Sequence, residues 1–300
     1  MSPLRQQGKK DPRYLEDITY SVATQPGNPD EPFSSNLFMG RYDEKELMGL
    51  LDRVGIIGIL HKKGYRNLVV NIIRQDGYTS RLYVNFDSQD KDSRLIELIV
   101  REGLFRPREV FVPSYDFSAG LSMLLIEWVA LQDPRAQFSP DKPRLPGQQY
   151  PGIGGLKNIQ ELLYHLGKST GKDAIVDVPE YFHSAAIYAR LYTEIYDRMY
   201  AFFSPVEAGI MQAMLRDLAD RPLADVSFAV AFDCLLDART GESAKWRTSE
   251  QIYPISKKLQ RYVEDDHYKE IVMKTMAEHA FMIDWDKYEQ VKAQGLSDEI

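Results

Sequence analysis

The sequence predicts a mixed α/β (α+β) protein: a mostly antiparallel central sheet flanked by helices, with further helices added at the C-terminus. Two β-rich runs, N-L-V-V-N-I-I-R-Q (67–75) and T-S-R-L-Y-V-N-F (79–86), flank an Asp-Gly turn, which is a hairpin pattern. The run L-S-M-L-L-I-E-W-V-A-L-Q (121–132) is apolar apart from Glu127. Periodicity alone permits helix or strand there, and Gly120 before it with Asp133-Pro134 after it favours a central strand covered on both faces. Around these runs, segments with apolar residues three or four apart alternate with strand-like stretches, as helices packed on a sheet require.

Taken in order, residues 1–35 hold Pro, Gly, Gln, Asp and Ser with little apolar periodicity and read as a flexible arm. N-L-F-M-G (36–40) is a candidate strand. Asp43, Glu44 and Glu46 open a helix with acids in its first turn. Its apolar face is Leu47, Leu50, Leu51, Val54, Ile57 and Leu60, and Gly64 ends it. After the hairpin, Arg94 to Gly103 reads as a short helix with Leu95, Ile96, Leu98, Ile99 and Val100 on its apolar side. Five prolines (134, 140, 143, 146 and 151) make residues 133–151 an extended loop.

Leu156, Ile159, Leu163 and Leu166 mark the next helix, A-I-V-D-V (174–178) a short strand, and Ala185, Ala186, Ala189, Tyr192 and Tyr196 one face of a helix from Phe182. Ser204-Pro205 caps and starts another helix. V-S-F-A-V-A-F-D-C-L-L (226–236) reads as a strand, Q-I-Y-P-I as a second, and helices follow from Ser256 to about His279. The expected organisation is an arm (1–35), a ligand-binding domain (36–255) and a helical extension packed on it (256–300).

Hydrophobic content of 44% and charged content of 27% are those of an ordinary globular chain. A net charge of −7 argues against a general nucleic-acid binder. The N-terminus has no apolar core of a secretory signal and no run approaches a bilayer span, so a cytoplasmic protein away from membranes is expected. The single cysteine, Cys234, lies among apolar residues and reads as a buried hydrophobe. The five histidines are scattered, so no metal site is expected; His183 reads as a helix-start or core residue.

Gly152, Gly154 and Gly155 precede the helix that starts near Leu156. Such a start presents unpaired N–H groups at the positive end of a helix, suited to a phosphate or diphosphate; the plainer alternative is a strand-to-helix connection. Gln149-Tyr150-Pro151-Gly152-Ile153-Gly154 spells Q-x-x-G-x-G, and in this it resembles the GNAT-type N-acetyltransferase superfamily. The order of elements over residues 36–255 agrees with how that fold is built. The resemblance implies acetyl-CoA, or another acyl-CoA, as cosubstrate. It implies that the apolar strand splays from its neighbour and offers the backbone of Trp128, Val129, Ala130 and Leu131 to the pantetheine arm. Gln149, Gly152, Ile153, Gly154, Gly155 and Leu156 would surround the diphosphate.

A second family signature aligns with Ile187-Tyr188-Ala189-Arg190-Leu191-Tyr192, where Tyr188 would protonate the departing thiolate. Tyr181 and Ser184 replace the usual Asn and Ala of that signature, and Tyr192 replaces a Gly. The alternative for Tyr188 is a core tyrosine. Glu127 is the candidate base for the acceptor amine, since burial inside an apolar strand would raise its pKa; alternatively it faces solvent or pairs with an arginine. The expected activity is acyl transfer to a small-molecule or peptide amine that the sequence does not identify. A non-catalytic relative keeping the fold is the alternative, and an interaction protein using the N-terminal arm a third.

Overall fold

The computed structural model of the chain describes residues 18–19, 36–74, 76–107, 109–190 and 200–294. The expected N-terminal arm therefore lies outside the described residues except for β1 (Ile18–Thr19), and so do Leu191, Tyr192 and Tyr196.

Asp43 opens α1 (Glu44–Arg53) with a capping box: its carboxylate accepts the Glu46 N–H, and the Glu46 carboxylate accepts the Asp43 N–H. The one helix expected from Asp43 to Gly64 is two. Gly55, at φ 84°, breaks it, and α2 (Ile56–Lys62) follows. The strand expected at 36–40 is only a tight turn, bridged from Phe38 to Tyr42, with Met39 and Gly40 both at positive φ.

Four strands then run as an antiparallel meander: β2 (Leu68–Ile73), β3 (Thr79–Phe86), β4 (Arg94–Phe105) and β5 (Leu121–Leu131). The hairpin and β5 stand where the sequence put them. The helix expected at 94–103 is instead the strand β4. Ile96, Leu98 and Val100 are fully buried in one core and the opposite face carries the partly exposed Glu97 and Arg101, but Leu95, an extra residue with no partner on β3, packs into the same core and gives the apolar positions a helix-like spacing. β1 pairs with its last residues, Leu104 and Phe105.

Residues 132–155 lead to α3 (Leu156–Ser169), β6 (Ala174–Asp177) and α4 (Phe182–Arg190). Then come β7 (Ala201–Phe202), α5 (Pro205–Asp217) and α6 (Leu223–Ala231). The strand expected at 226–236 is thus mostly helix α6, followed by β8 (Leu235–Asp237). Val226, Phe228, Val230 and Phe232 alternate in the sequence, but Val226, Ser227, Phe228, Ala229 and Val230 are all buried around a helix, so side-chain period carried no information there. β9 (Gln251–Pro254), α7 (Lys257–Glu264), α8 (Asp266–Glu278), β10 (Phe281–Ile283) and α9 (Trp285–Ala293) complete the chain.

The main sheet is ordered β2-β3-β4-β5-β6-β9-β7; β8 and β10 form a separate pair. All its neighbours are antiparallel except β5 and β6, which run parallel with α3 as their crossover. Alternate residues of these two strands face different cores. Met123, Leu125, Ala174 and Val176 face a core shared with α4–α9, while Leu124, Ile126 and Ile175 face α1, α2 and α3. Tyr262 of α7 and Tyr268 of α8 reach this first core and donate their hydroxyls to the Phe203 and Phe202 carbonyls. The helices after residue 256 are therefore built onto the sheet.

Candidate functional site: the edge of β5 beyond the end of β6

The site is set by one extra residue on β5. Ile126 pairs with Val100 and Trp128 with Ile99, so Glu127 has no partner of its own on β4 and forms a bulge. The bulge reverses the alternation. Val129 and Leu131 turn onto the core beneath α3, and Trp128 turns outward, 49% exposed. Beyond the bulge the Gln132 N–H goes to the Leu95 carbonyl on β4. By alternation, the main-chain groups of Val129 and Leu131 point to the other edge, toward β6.

β6 does not follow. Its ladder with β5 runs from Met123 opposite Ala174 to Ile126 opposite Asp177 and stops there. β6 itself ends at Asp177, where its ladder with β9 ends too, so from Glu127 on β5 has no β6 partner along this edge. The edge is closed at its far end by the returning loop: Ile153 N–H donates to the Leu131 carbonyl and Asp133 N–H to the Pro151 carbonyl, with Gly152 bridged to Gln132. Asp133 anchors this corner, with one carboxylate oxygen 2.8 Å from Lys63 Nζ and the other accepting the Tyr65 hydroxyl at 2.6 Å. Burial opposes its charge, but these two donors outweigh it and hold the Asp133 carboxyl below the usual range. Burial and Asp133 together push the Tyr65 phenol up to about 12. The Arg135 guanidinium stacks over Tyr65 and Phe86.

Just past that corner the chain enters α3 through Gly154 (φ 79°) and Gly155 (φ 92°). A side chain at Gly155 would crowd Ile56 and Ile59 of α2, at 3.1 and 3.2 Å from its Cβ. The first α-helical bond of α3 is from Ile159 to the Gly155 carbonyl, and no side chain caps the helix. The N–H groups of Leu156, Lys157 and Asn158 thus face the helix mouth at its positive end. The Asn158 side chain does not fold back on them; it donates to the Val54 carbonyl between α1 and α2.

Of the residues expected around a diphosphate, Gly152, Gly154, Gly155 and Leu156 line this corner, Gln149 is exposed on the approach, and the Ile153 N–H is taken by β5. Of the four residues expected along the pantetheine arm, Trp128 and Ala130 turn their main chain to β4, Val129 and Leu131 turn theirs to the other edge, and the Leu131 carbonyl already accepts the Ile153 N–H.

The two expected catalytic residues are less open. Glu127 lies 2.6 Å from Arg101 Nε, so the arginine-paired alternative describes it. Tyr188, on α4, is only 5% exposed, its ring 4.8 Å from that of Tyr200. Burial first, and the Asp177 carboxylate second, hold its phenol well above the usual value. His183 is a buried helix-start residue: its Nδ1 is 2.8 Å from Ser227 Oγ, and burial pushes its imidazole down to about 4. Cys234 is buried.

Sequence reasoning missed Asp177, Gln160, Tyr200 and Gln251, all buried near the end of β6. One signal was available. A-I-V-D-V is a fully apolar strand but for an acid at its end, and an acid is rarely buried without a task. Among the described residues no group of three or more His, Cys, Asp or Glu could hold a metal ion, and no helix is long and apolar enough to cross a membrane. No family model, no curated protein sequence and no solved structure matches the chain.

Proposed function

We propose that the edge of β5 beyond the end of β6 binds an acyl-CoA, acetyl-CoA being the first candidate, and that the chain transfers the acyl group to a primary amine. The observation that carries this reading is the coincidence of two features at one corner. Where β6 ends, β5 turns the main chain of Val129 and the N–H of Leu131 to an edge without a β6 partner, and beside them an uncapped, glycine-led helix mouth presents the amides of Leu156, Lys157 and Asn158. The first suits the amide-bearing pantetheine arm, which pairs as an added strand would. The second suits the diphosphate. The resemblance of Q-x-x-G-x-G to the GNAT pattern points the same way. In this reading an acceptor amine attacks the thioester carbonyl and Tyr188 protonates the leaving sulfur.

A second reading, a binding protein without turnover, is favoured by the burial of Tyr188 and the pairing of Glu127 with Arg101. Thermal denaturation separates the outcomes. Acetyl-CoA at a hundred times its Kd stabilises by roughly 2.7 kcal/mol, whereas ATP and NAD leave the chain unmoved. Gly154→Trp, which fills the mouth of the helix, abolishes the acetyl-CoA effect. Release of free thiol with amines present then divides enzyme from binder: Tyr188→Phe keeps the thermal shift and loses turnover. A chain that acetyl-CoA does not stabilise refutes both readings.

A further inference from the structure

The two outer edges of the main sheet are finished differently. One edge is β7, only two residues long. Phe203, just after it, bonds to β9, so by alternation the Phe202 main chain turns outward, and its carbonyl accepts the Tyr268 hydroxyl at 2.6 Å. A short edge whose acceptor is already taken offers little to another chain. The opposite edge is β2, L-V-V-N-I-I, six residues with no charge or proline to guard them, paired to β3 in one unbroken register. The Asp87 N–H donates to the Asn67 carbonyl, which makes residues 67, 69, 71 and 73 the ones that bond to β3. By alternation Leu68, Val70 and Ile72 turn their main chain outward. Among the described residues no hydrogen bond reaches the Val70 and Ile72 N–H groups or the Leu68, Val70 and Ile72 carbonyls.

We infer that β2 is the pairing edge for a second copy of this chain, the two strands running antiparallel about a two-fold axis at Asn71. In that register Val70 of one copy lies opposite Ile72 of the other, and the two exchange the main-chain bonds that a bare edge leaves open. Val69 meets Ile73 on the outer face, where both are already half-buried, and Asn71 meets Asn71. The charges select this occupant. Arg66, exposed just before the strand, comes to the end of the other β2 where the partly exposed Asp76 stands, and the two-fold repeats the contact at the far end. Arg74, the other charge at that end, is 7% exposed and turned inward onto the Gly77 carbonyl. An axis at Val70 would bring Arg66 level with Arg74 instead, so charge favours the axis at Asn71.

Such a contact is the same patch on both copies and closes on itself, and the guarded β7 edge stops the assembly at two. The inference stands apart from the acyl-transfer reading. β5 lies three strands in from this edge, about 14 Å away, so pairing leaves the helix mouth at α3 open.

The test is the mass of the full chain by sedimentation equilibrium across about 1–200 μM, a range that fills an interface of micromolar affinity. The wild-type chain should reach twice its 34.5 kDa. Asn71→Lys, at a half-buried position, sets two ammonium groups face to face across the axis and should raise the dimer dissociation constant at least ~10-fold. Mixing it with Asn71→Asp should restore the pairing, which a misfolded chain could not do. Asn71→Cys reads the register. Directly opposed residues of a non-hydrogen-bonded pair have Cα atoms about 4.5 Å apart, within disulfide reach, so mild oxidation should link the two copies. Val69→Cys should not link, because its two copies stand about 14 Å apart along the strands. Cys234 is buried and takes no part in either variant. A chain that stays monomeric across the whole range, whatever takes its β2 edge, overturns the inference. So does a dimer that Asn71→Lys leaves intact or that Asn71→Cys fails to link. None of these results touches the acetyl-CoA thermal shift, on which the acyl-transfer reading stands or falls separately.

Discussion

The two halves of β5 differ in both pairing and burial. Residues 123–126 are paired on both edges, with β4 and β6, and Met123, Leu124, Leu125 and Ile126 are almost wholly buried. Residues 127–131 are paired along one edge, none is fully buried, and Trp128 stands half exposed. A single bulged residue, Glu127, divides a half that builds the core from a half that has lost its β6 partner. Stability and ligand binding are therefore carried by different residues of one strand, and substitutions can separate them.

The largest effect should come from the paired half. Leu124→Ala, at a fully buried position, should cost about 2–5 kcal/mol in urea denaturation, whereas Val129→Ala, half-buried beyond the end of β6, should cost about 1 kcal/mol. Equal costs would mean that the two halves are packed alike. The wall of the cleft formed by α4 should be sensitive to acid, because its first turn holds His183 against Ser227 of α6. The imidazole titrates lower in the folded chain than in the unfolded one, so the unfolded state binds the extra proton. That contribution is complete above pH 6.5 and is lost as the pH falls toward 4, a change of roughly 3 kcal/mol, and His183→Asn should flatten this part of the stability curve.

At the closed corner, Asp133→Ala leaves the Tyr65 hydroxyl and Lys63 without their shared acceptor and should cost about 1–3 kcal/mol. It should also weaken acetyl-CoA binding, as the same residue ties the returning loop to β5. Smallest of all, Glu127→Gln breaks a half-exposed pair with Arg101 and should change stability by less than about 1 kcal/mol.

Much of the architecture could be read from residue pattern because it rests on local chemistry. The Asp-Gly hairpin, the prolines of residues 133–151, the glycines before α3 and the Ser204 cap each act on their own stretch of backbone. The misread segments failed for separate reasons: in α6 residues 226–230 are buried on every side and the periodic signal vanishes, in β4 the extra apolar Leu95 mimics helical spacing, and at 36–40 the apolar pair Phe38-Met39 is buried in a turn. Nor could pattern reveal the break at Gly55, because the apolar positions keep their spacing on both sides of it.

Of the cleft, the glycines and the apolar strand could be read, and its chemistry only in part. Glu127 stood out as an acid in an apolar run, but which residue it meets depends on Arg101 of β4, brought opposite by the sheet.

The most direct measurement is a crystal structure of the chain soaked with acetyl-CoA. The account predicts the diphosphate within hydrogen-bonding distance of the Leu156 and Lys157 amides and the pantetheine arm lying along Val129 and Leu131. A ligand seated elsewhere, with that β5 edge and those amides engaged by the protein itself, would contradict it.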